Sequence, residues 1–306
     1  MTVRTFVQST VALVVFASAY ALTVALVVFA SAYALIRIAI TELPPLTVAA
    51  LRFILASSLI VPLTLFHYRG NTSAITRRDW PILFGLSIVQ IFMPNLLQNI
   101  GLEYTTASVS SVLQSTTPVF TLLLSFTLLK EKVGLKEVAG VTVAMLGVIL
   151  LSTGGNVGNL AGSVFLGNLL QVGVAASYAL SGIVGKALLK KYQPMLVVTL
   201  TFVFGAVLLT FFAVVFERNL WPAKLSSEVM VALLLLSFMY CLGLVCWYDV
   251  LQHTGVFRLY VLLFTMPVLA VLISVVVLRE SFTALDIVFS GLTLLGVGIT
   301  QLGKTK

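Results

Sequence analysis

The sequence holds 306 residues, 60% hydrophobic and 9% charged, with a mean hydropathy of +1.13; soluble domains carry roughly a quarter charged residues, and none could hide so much apolar surface. The formal net charge of +8 comes from Lys and Arg set in short stretches between apolar runs, the placement of membrane-orientation signals and not of a nucleic-acid-binding face. Those runs are about 20 residues long, the length of a helix crossing a ~30 Å hydrocarbon core and not the ~10-residue alternation of a barrel strand, so an all-α polytopic membrane protein is expected.

Ten transmembrane helices are expected, at about 11–40, 47–66, 81–101, 106–129, 138–155, 163–185, 195–216, 230–251, 259–278 and 284–302. The first run contains a verbatim repeat: Thr10–Leu22 and Thr23–Leu35 both read TVALVVFASAYAL. At 1.5 Å per residue the run makes roughly 45 Å of helix, half as long again as the hydrocarbon core. The second copy, continuous with Ile36–Ile40, is expected to form the working span, and 1–22 is read as a separate segment holding the first copy. Arg4, the apolar run and Ala17-Ser18-Ala19 also look like a secretory signal. Cleavage there would conflict with the loop charges described below.

In the third span Gln90, Pro94 and Gln98 are four apart, with Asn95 adjacent. Pro94 also frees a backbone carbonyl that a substrate ammonium could use. In the fourth, Ser111, Gln114 and Thr117 precede Pro118. Gly140, Ala144 and Gly147 in the fifth, like Gly291 and Gly296 in the tenth, read as close helix packing. The sixth carries a polar stripe of Asn168, Gln171 and Tyr178, with Ala175 between them. Polar groups inside a membrane are costly and usually face protein or a water-filled cavity, so these three stripes are candidates for one shared substrate site. Tyr240 and Trp247 in the eighth span and Tyr260 and Phe264 in the ninth would add aromatic walls suited to an amphipathic ligand. Cys241 and Cys246 share a helix about 8 Å apart at their α-carbons, too far for a disulfide.

Placing the N-terminus in the cytoplasm puts thirteen Lys and Arg inside and five outside, namely Arg37, Arg52, Arg218, Lys224 and Arg279. This positive-inside bias predicts two cytoplasmic termini in a cell (inner) membrane. A shift of 149 residues superposes the two halves: Pro45 falls on Pro194, Arg37 on Lys186, Pro118 on Pro267, Glu131 on Glu280 and Gly147 on Gly296. Five spans per half is an odd number, so the repeats are expected to be inverted, an arrangement that supports two access states around a central site.

The strings GLEYTTASVSSVLQSTTPVFTLLLSFTLLKEKVGLKEVAGVTVAMLGVILL (101–151), ITELPPLTVAALRF (40–53) and the block from Pro267 to Gly296 resemble the EamA domain of the drug/metabolite transporter superfamily. The resemblance implies two five-helix EamA repeats, 23–155 and 163–302, and traffic in small metabolites, often amino acids and frequently outward. One departure is HTGVFRLYVLLF (253–264), bulkier than its first-half equivalent ASVSSVLQSTT.

The expected function is therefore a transporter of amino acids or related amphipathic compounds, working by alternating access on a small-molecule substrate among membrane lipids, with no nucleic acid, cofactor or metal. A lipid flippase or facilitative pore is the alternative. No catalytic residues are expected: HExxH and paired intramembrane aspartates are absent, and His67 and His253 fall at span ends. Proton coupling usually needs a carboxylate near mid-membrane, yet all ten acids lie in loops or near span ends. Asp249, the deepest, with His253 on the same face, is the candidate coupling pair. Glu131 and Glu280 are expected to pin helix ends.

Overall fold

The computed structural model describes residues 27–67, 75–129, 134–156, 162–222, 224–253 and 265–303. Among them every regular element is a helix: α1 (Val27–Ala39), α2 (Pro45–His67), α3 (Trp80–Ser87), a π turn (Ile88–Phe92), α4 (Met93–Tyr104), α5 (Ala107–Gln114), α6 (Thr117–Leu129), α7 (Leu135–Thr153), α8 (Ser163–Leu189), α9 (Pro194–Glu217), a 3-10 turn (Arg218–Leu220), α10 (Ser227–His253), α11 (Thr265–Leu278) and α12 (Ala284–Gly303). Seven spans among the described residues are long and apolar enough to cross a membrane, and three shorter apolar helices, Val27–Ala39, Val268–Leu278 and Ala284–Ile299, accompany them. The first copy of the 13-residue repeat and Tyr260 lie outside the described residues.

The packing is that of a protein in lipid. Large apolar side chains such as Phe66, Phe211, Phe216 and Val276 face outward, while Asn95, Asn99, Asn168, Gln171 and Thr201 are buried. Backbone carbonyls have no water to turn to at this depth, so every helix break needs local donors. The fourth expected span, 106–129, departs from expectation for that reason: it is two helices, α5 and α6, separated at Ser115-Thr116. Pro118 brings no N–H to the carbonyl of Gln114, and the helix parts there. The Ser115, Thr116 and Thr117 hydroxyls then donate to the carbonyls of Val112, Leu113 and Gln114 at 2.5, 2.6 and 2.7 Å, satisfying the groups the break exposes. Pro94 has the same effect on the third span. Gln90 loses its helical donor, and the chain widens into the π turn, where the Met93 N–H reaches back to Ile88.

Arg52 requires a correction. Counted as an outside charge although it falls inside the expected 47–66 span, it lies within α2 and is buried, about two turns from the helix start at Pro45. The orientation count loses one outside charge by this.

Two carboxylates, Glu217 buried and Glu280 half-buried, cap helices. Glu217 accepts from the N–H groups of Leu46 and Thr47 at 2.8 and 2.6 Å, and Glu280 from those of Ala107 and Ser108 at 2.9 and 3.0 Å. Each offers a negative charge to unpaired donors at a helix N-terminus. Glu280 thus pins α5, which is 173 residues away for Ala107, rather than its own neighbourhood.

Helices related by the 149-residue shift pack on each other: α2 on α9, and α7 on α12. Within the second pair, Gly147 lies against Thr293 and Gly296 against Ala144. Those are one contact written twice, since the shift carries Ala144 to Thr293 and Gly147 to Gly296. Reciprocal contacts of this kind are what a two-fold relation between halves produces. The glycines permit it, because a Cβ at Gly296 would meet Ala144 backbone and not a movable side chain.

Candidate functional site

The breaks in the third and fourth spans face one interior cavity of about 120 Å³. Its walls come from α1 (Phe29, Ala32, Tyr33), α2 (Arg52), the π turn and α4 (Gln90, Gln98), α5, α6 and the turn between them (Ser111, Gln114, Ser115, Thr117), α8 (Tyr178, Ser181, Gly182) and α10 (Tyr240, Leu244, Trp247, Tyr248). Both repeats contribute. The break after Gln114 sets Gln114, Ser115 and Thr117 at the cavity, and the π turn sets Gln90 there, so irregular backbone occurs where it borders an interior space.

One side of the cavity is a hydrogen-bonded chain. The Tyr33 hydroxyl donates to Gln114 Oε1 at 2.8 Å, Gln114 Nε2 donates to Gln171 Oε1 at 2.9 Å, and Gln171 Nε2 donates to the Gln98 carbonyl at 3.0 Å. Three of the expected stripes are thereby joined. Gln171 is fully buried behind the wall, and it reaches Gln98 because α8 and α4 cross at Gly167 and Gly101: a Cβ at Gly101 would come to 2.5 Å from Gln171 Nε2. Across the cavity Tyr248 donates to Gln90 Oε1 at 2.5 Å. The Gln114 and Gln171 amides are paired with each other and Gln90 with a tyrosine hydroxyl, which fixes their orientation and leaves this wall polar without being charged.

The opposite side is aromatic. Phe29 meets Tyr240 and Trp247 edge-on at 5.7 and 6.2 Å between ring centroids, and Tyr240 stacks on Phe202 at 6.0 Å. The described part of the second repeat copy thus lines the cavity through Phe29, Ala32 and Tyr33. Arg52 enters between the two sides. Its Nη1 donates to Asn95 Oδ1 at 3.2 Å, and its guanidinium carbon lies 3.9 Å from the Tyr240 ring centroid.

The expected site residues divide into three groups. Gln90, Gln98, Gln114, Thr117, Tyr178, Tyr240 and Trp247 line the cavity. Pro94, Asn95, Asn168 and Gln171 are buried around it as support: Pro94 shapes the π turn, Asn95 holds Arg52, Asn168 accepts from Thr105 at 2.5 Å, and Gln171 ties the glutamines together. Asp249 is not among the lining residues and is exposed on α10, while Tyr260 and the side chain of His253 lie outside the described residues. Sequence reasoning missed Arg52, Tyr33 and Tyr248. An arginine inside the apolar run TVAALRFILASSLIV was the available signal for the first; nothing local marks the two tyrosines.

Comparison with known proteins bears on the whole chain. The model of the EamA-like transporter family matches residues 6–153 and again 165–301. An uncharacterized transporter of Archaeoglobus fulgidus is 30% identical over 265 residues, covering 86% of this chain and 91% of its own. The uncharacterized transporter YetK of Bacillus subtilis is 26% identical over 274 residues, covering 88% and 82%. A protein of known crystal structure aligns with a TM-score of 0.67 at 18% identity, over 94% of this chain and 99% of its own. That last likeness concerns the fold alone.

Proposed function

The chain belongs to the EamA-like transporter family and is a multi-pass membrane transporter, and from that premise we propose that it is a carrier whose substrate site is the cavity bordered by α1, α2, the π turn and α4, α5, α6, α8 and α10. The single observation that carries this reading is the cavity itself: a small space between helices of both family repeats, lined by amides and hydroxyls, by aromatic rings and by Arg52. Paired amides give hydrogen bonding without fixed charge, and aromatic faces take an apolar body, a combination suited to amino acids or related amphipathic metabolites. Ten spans in two inverted repeats of five would let the halves rock about the cavity and open it to each side in turn. The reciprocal Gly147–Thr293 and Gly296–Ala144 contacts are where that relation would be expected to leave its mark.

We place both termini in the cytoplasm of a cell membrane, from the positive-inside bias, and assign export as the direction, from what the family resemblance implies. No carboxylate is among the described lining residues, so we favour facilitated or weakly coupled exchange, with Asp249 and His253 left as rim groups if a proton moves. The test is flux of radiolabelled amino acids in proteoliposomes. Gln171→Ala, which unties Gln114 from Gln98, and Tyr178→Ala, which opens the wall, should each lower flux at least tenfold in protein that still inserts and elutes as a single species. Flux unaffected by both would refute the site.

A further inference from the structure

Arg52 is 1% exposed and lies about 10 Å along α2 from its N-terminus, yet it borders the cavity. Its described partners are all neutral. Nη1 has Asn95, the guanidinium carbon has the rings of Tyr240 at 3.9 Å and Phe53 at 5.2 Å, and Nε has no hydrogen-bond partner. A guanidinium does not give up its proton in a protein. Buried in apolar surroundings it calls for a counter-ion, and one amide bond with two ring contacts offsets only part of the desolvation. No second cation or carboxylate is among the described residues lining the cavity, so the space carries one uncompensated positive charge.

We infer that Arg52 anchors the carboxylate of the transported solute, and that the substrate class is a small organic monocarboxylate with an apolar body, amino acids included. The planar fork of N–H donors fits two carboxylate oxygens side by side. One positive charge suits one negative charge, which disfavours phosphate dianions, and it repels cations such as quaternary ammonium compounds. Phe29, Tyr240 and Trp247 then receive the apolar body. The assignment rests on the carrier reading above and narrows it.

The experiment uses the full chain, purified and in proteoliposomes. Binding is read by thermal shift and Trp fluorescence with L-amino acids, benzoate and phenylacetate as probes, benzoate and phenylacetate each beside its own neutral amide, and with inorganic phosphate as a further arm. At least one carboxylate should bind ten times or more tightly than its amide and more tightly than phosphate, and Arg52→Gln should erase that preference. Since Arg52→Gln could fail to fold, Asn95→Asp supplies a second arm. It places a fixed carboxylate at the 3.2 Å contact, giving up the Asn95 bond to the Ile91 carbonyl, and should weaken carboxylate binding at least tenfold by satisfying Arg52 internally. If Arg52 served packing alone, Asn95→Asp would leave binding unchanged. Amides binding as well as acids, no carboxylate binding, or wild-type binding in Asn95→Asp each overturns the assignment. Flux of neutral solutes that Tyr178→Ala abolishes and Arg52→Gln spares would overturn it while leaving the carrier reading intact. Carboxylate binding without any flux would do the reverse.

Discussion

Asp79, just before α3, gathers three donors on one carboxylate: Thr76 Oγ1 at 2.7 Å, the Tyr192 hydroxyl at 2.7 Å and Lys191 Nζ at 3.0 Å. The Thr76 and Tyr192 hydrogen bonds, then that of Lys191, hold its pKa down at about 2, below the ordinary 3.8. A depressed carboxylate stabilises the fold fully above its unfolded pKa and loses that contribution as pH falls through the folded one. Wild-type thermal stability should therefore hold down to about pH 4 and then drop toward pH 2. Asp79→Asn should melt lower at neutral pH and lose less on acidification, read from melting temperature against pH; parallel curves for the two proteins would contradict this. At the same scale, the polar stripes were legible because an amide in an apolar run is conspicuous. Which amides meet was not: Gln114 and Gln171 are 57 positions apart, and helical spacing says nothing across that distance. Arg52 was hidden by a counting rule that treats every cation near a span as a loop charge.

Helices carry their own consequences. Most spans were readable from apolar length, and the sixth begins at Ser163 in both readings. The break inside 106–129 was not, although the string QSTTP contains its chemistry: a proline preceded by hydroxyls able to take up the carbonyls it strands. Length-based reading sees only continuous apolarity. Close packing of α7 on α12 predicts that Gly296→Ala destabilises the protein by about 1–3 kcal/mol, since the new methyl meets Ala144 backbone, whereas a similar change at Gly291, which has nothing within 4 Å, should cost little. Denaturation of both variants in one detergent measures the difference. Arg279 ends α11 at φ 53°, the left-handed region, and the Glu280 N–H reaches back to the Ser274 carbonyl. A glycine fits that position at no steric cost. Arg279→Gly should stabilise the chain by about 0.5–1 kcal/mol; a loss of stability would show that the arginine side chain contributes more than its backbone strain takes away.

For the whole molecule, two family repeats, two sets of helices packed on their counterparts and a cavity lined by both repeats support the proposal that the halves exchange a solute there between the two faces of the membrane. The duplicated first run inflated apolar length in the sequence, and the described part of its second copy, α1, is where Phe29 and Tyr33 reach the cavity. The central claim is most directly tested at Ser181, a buried lining residue. With Cys241 and Cys246 replaced by serine, a Ser181→Cys variant in oriented vesicles is exposed to a membrane-impermeant thiol reagent on one face at a time. The account predicts labelling from either face, slowed in both cases by a transported solute; labelling from neither face, or from one face alone under every solute condition, would contradict it.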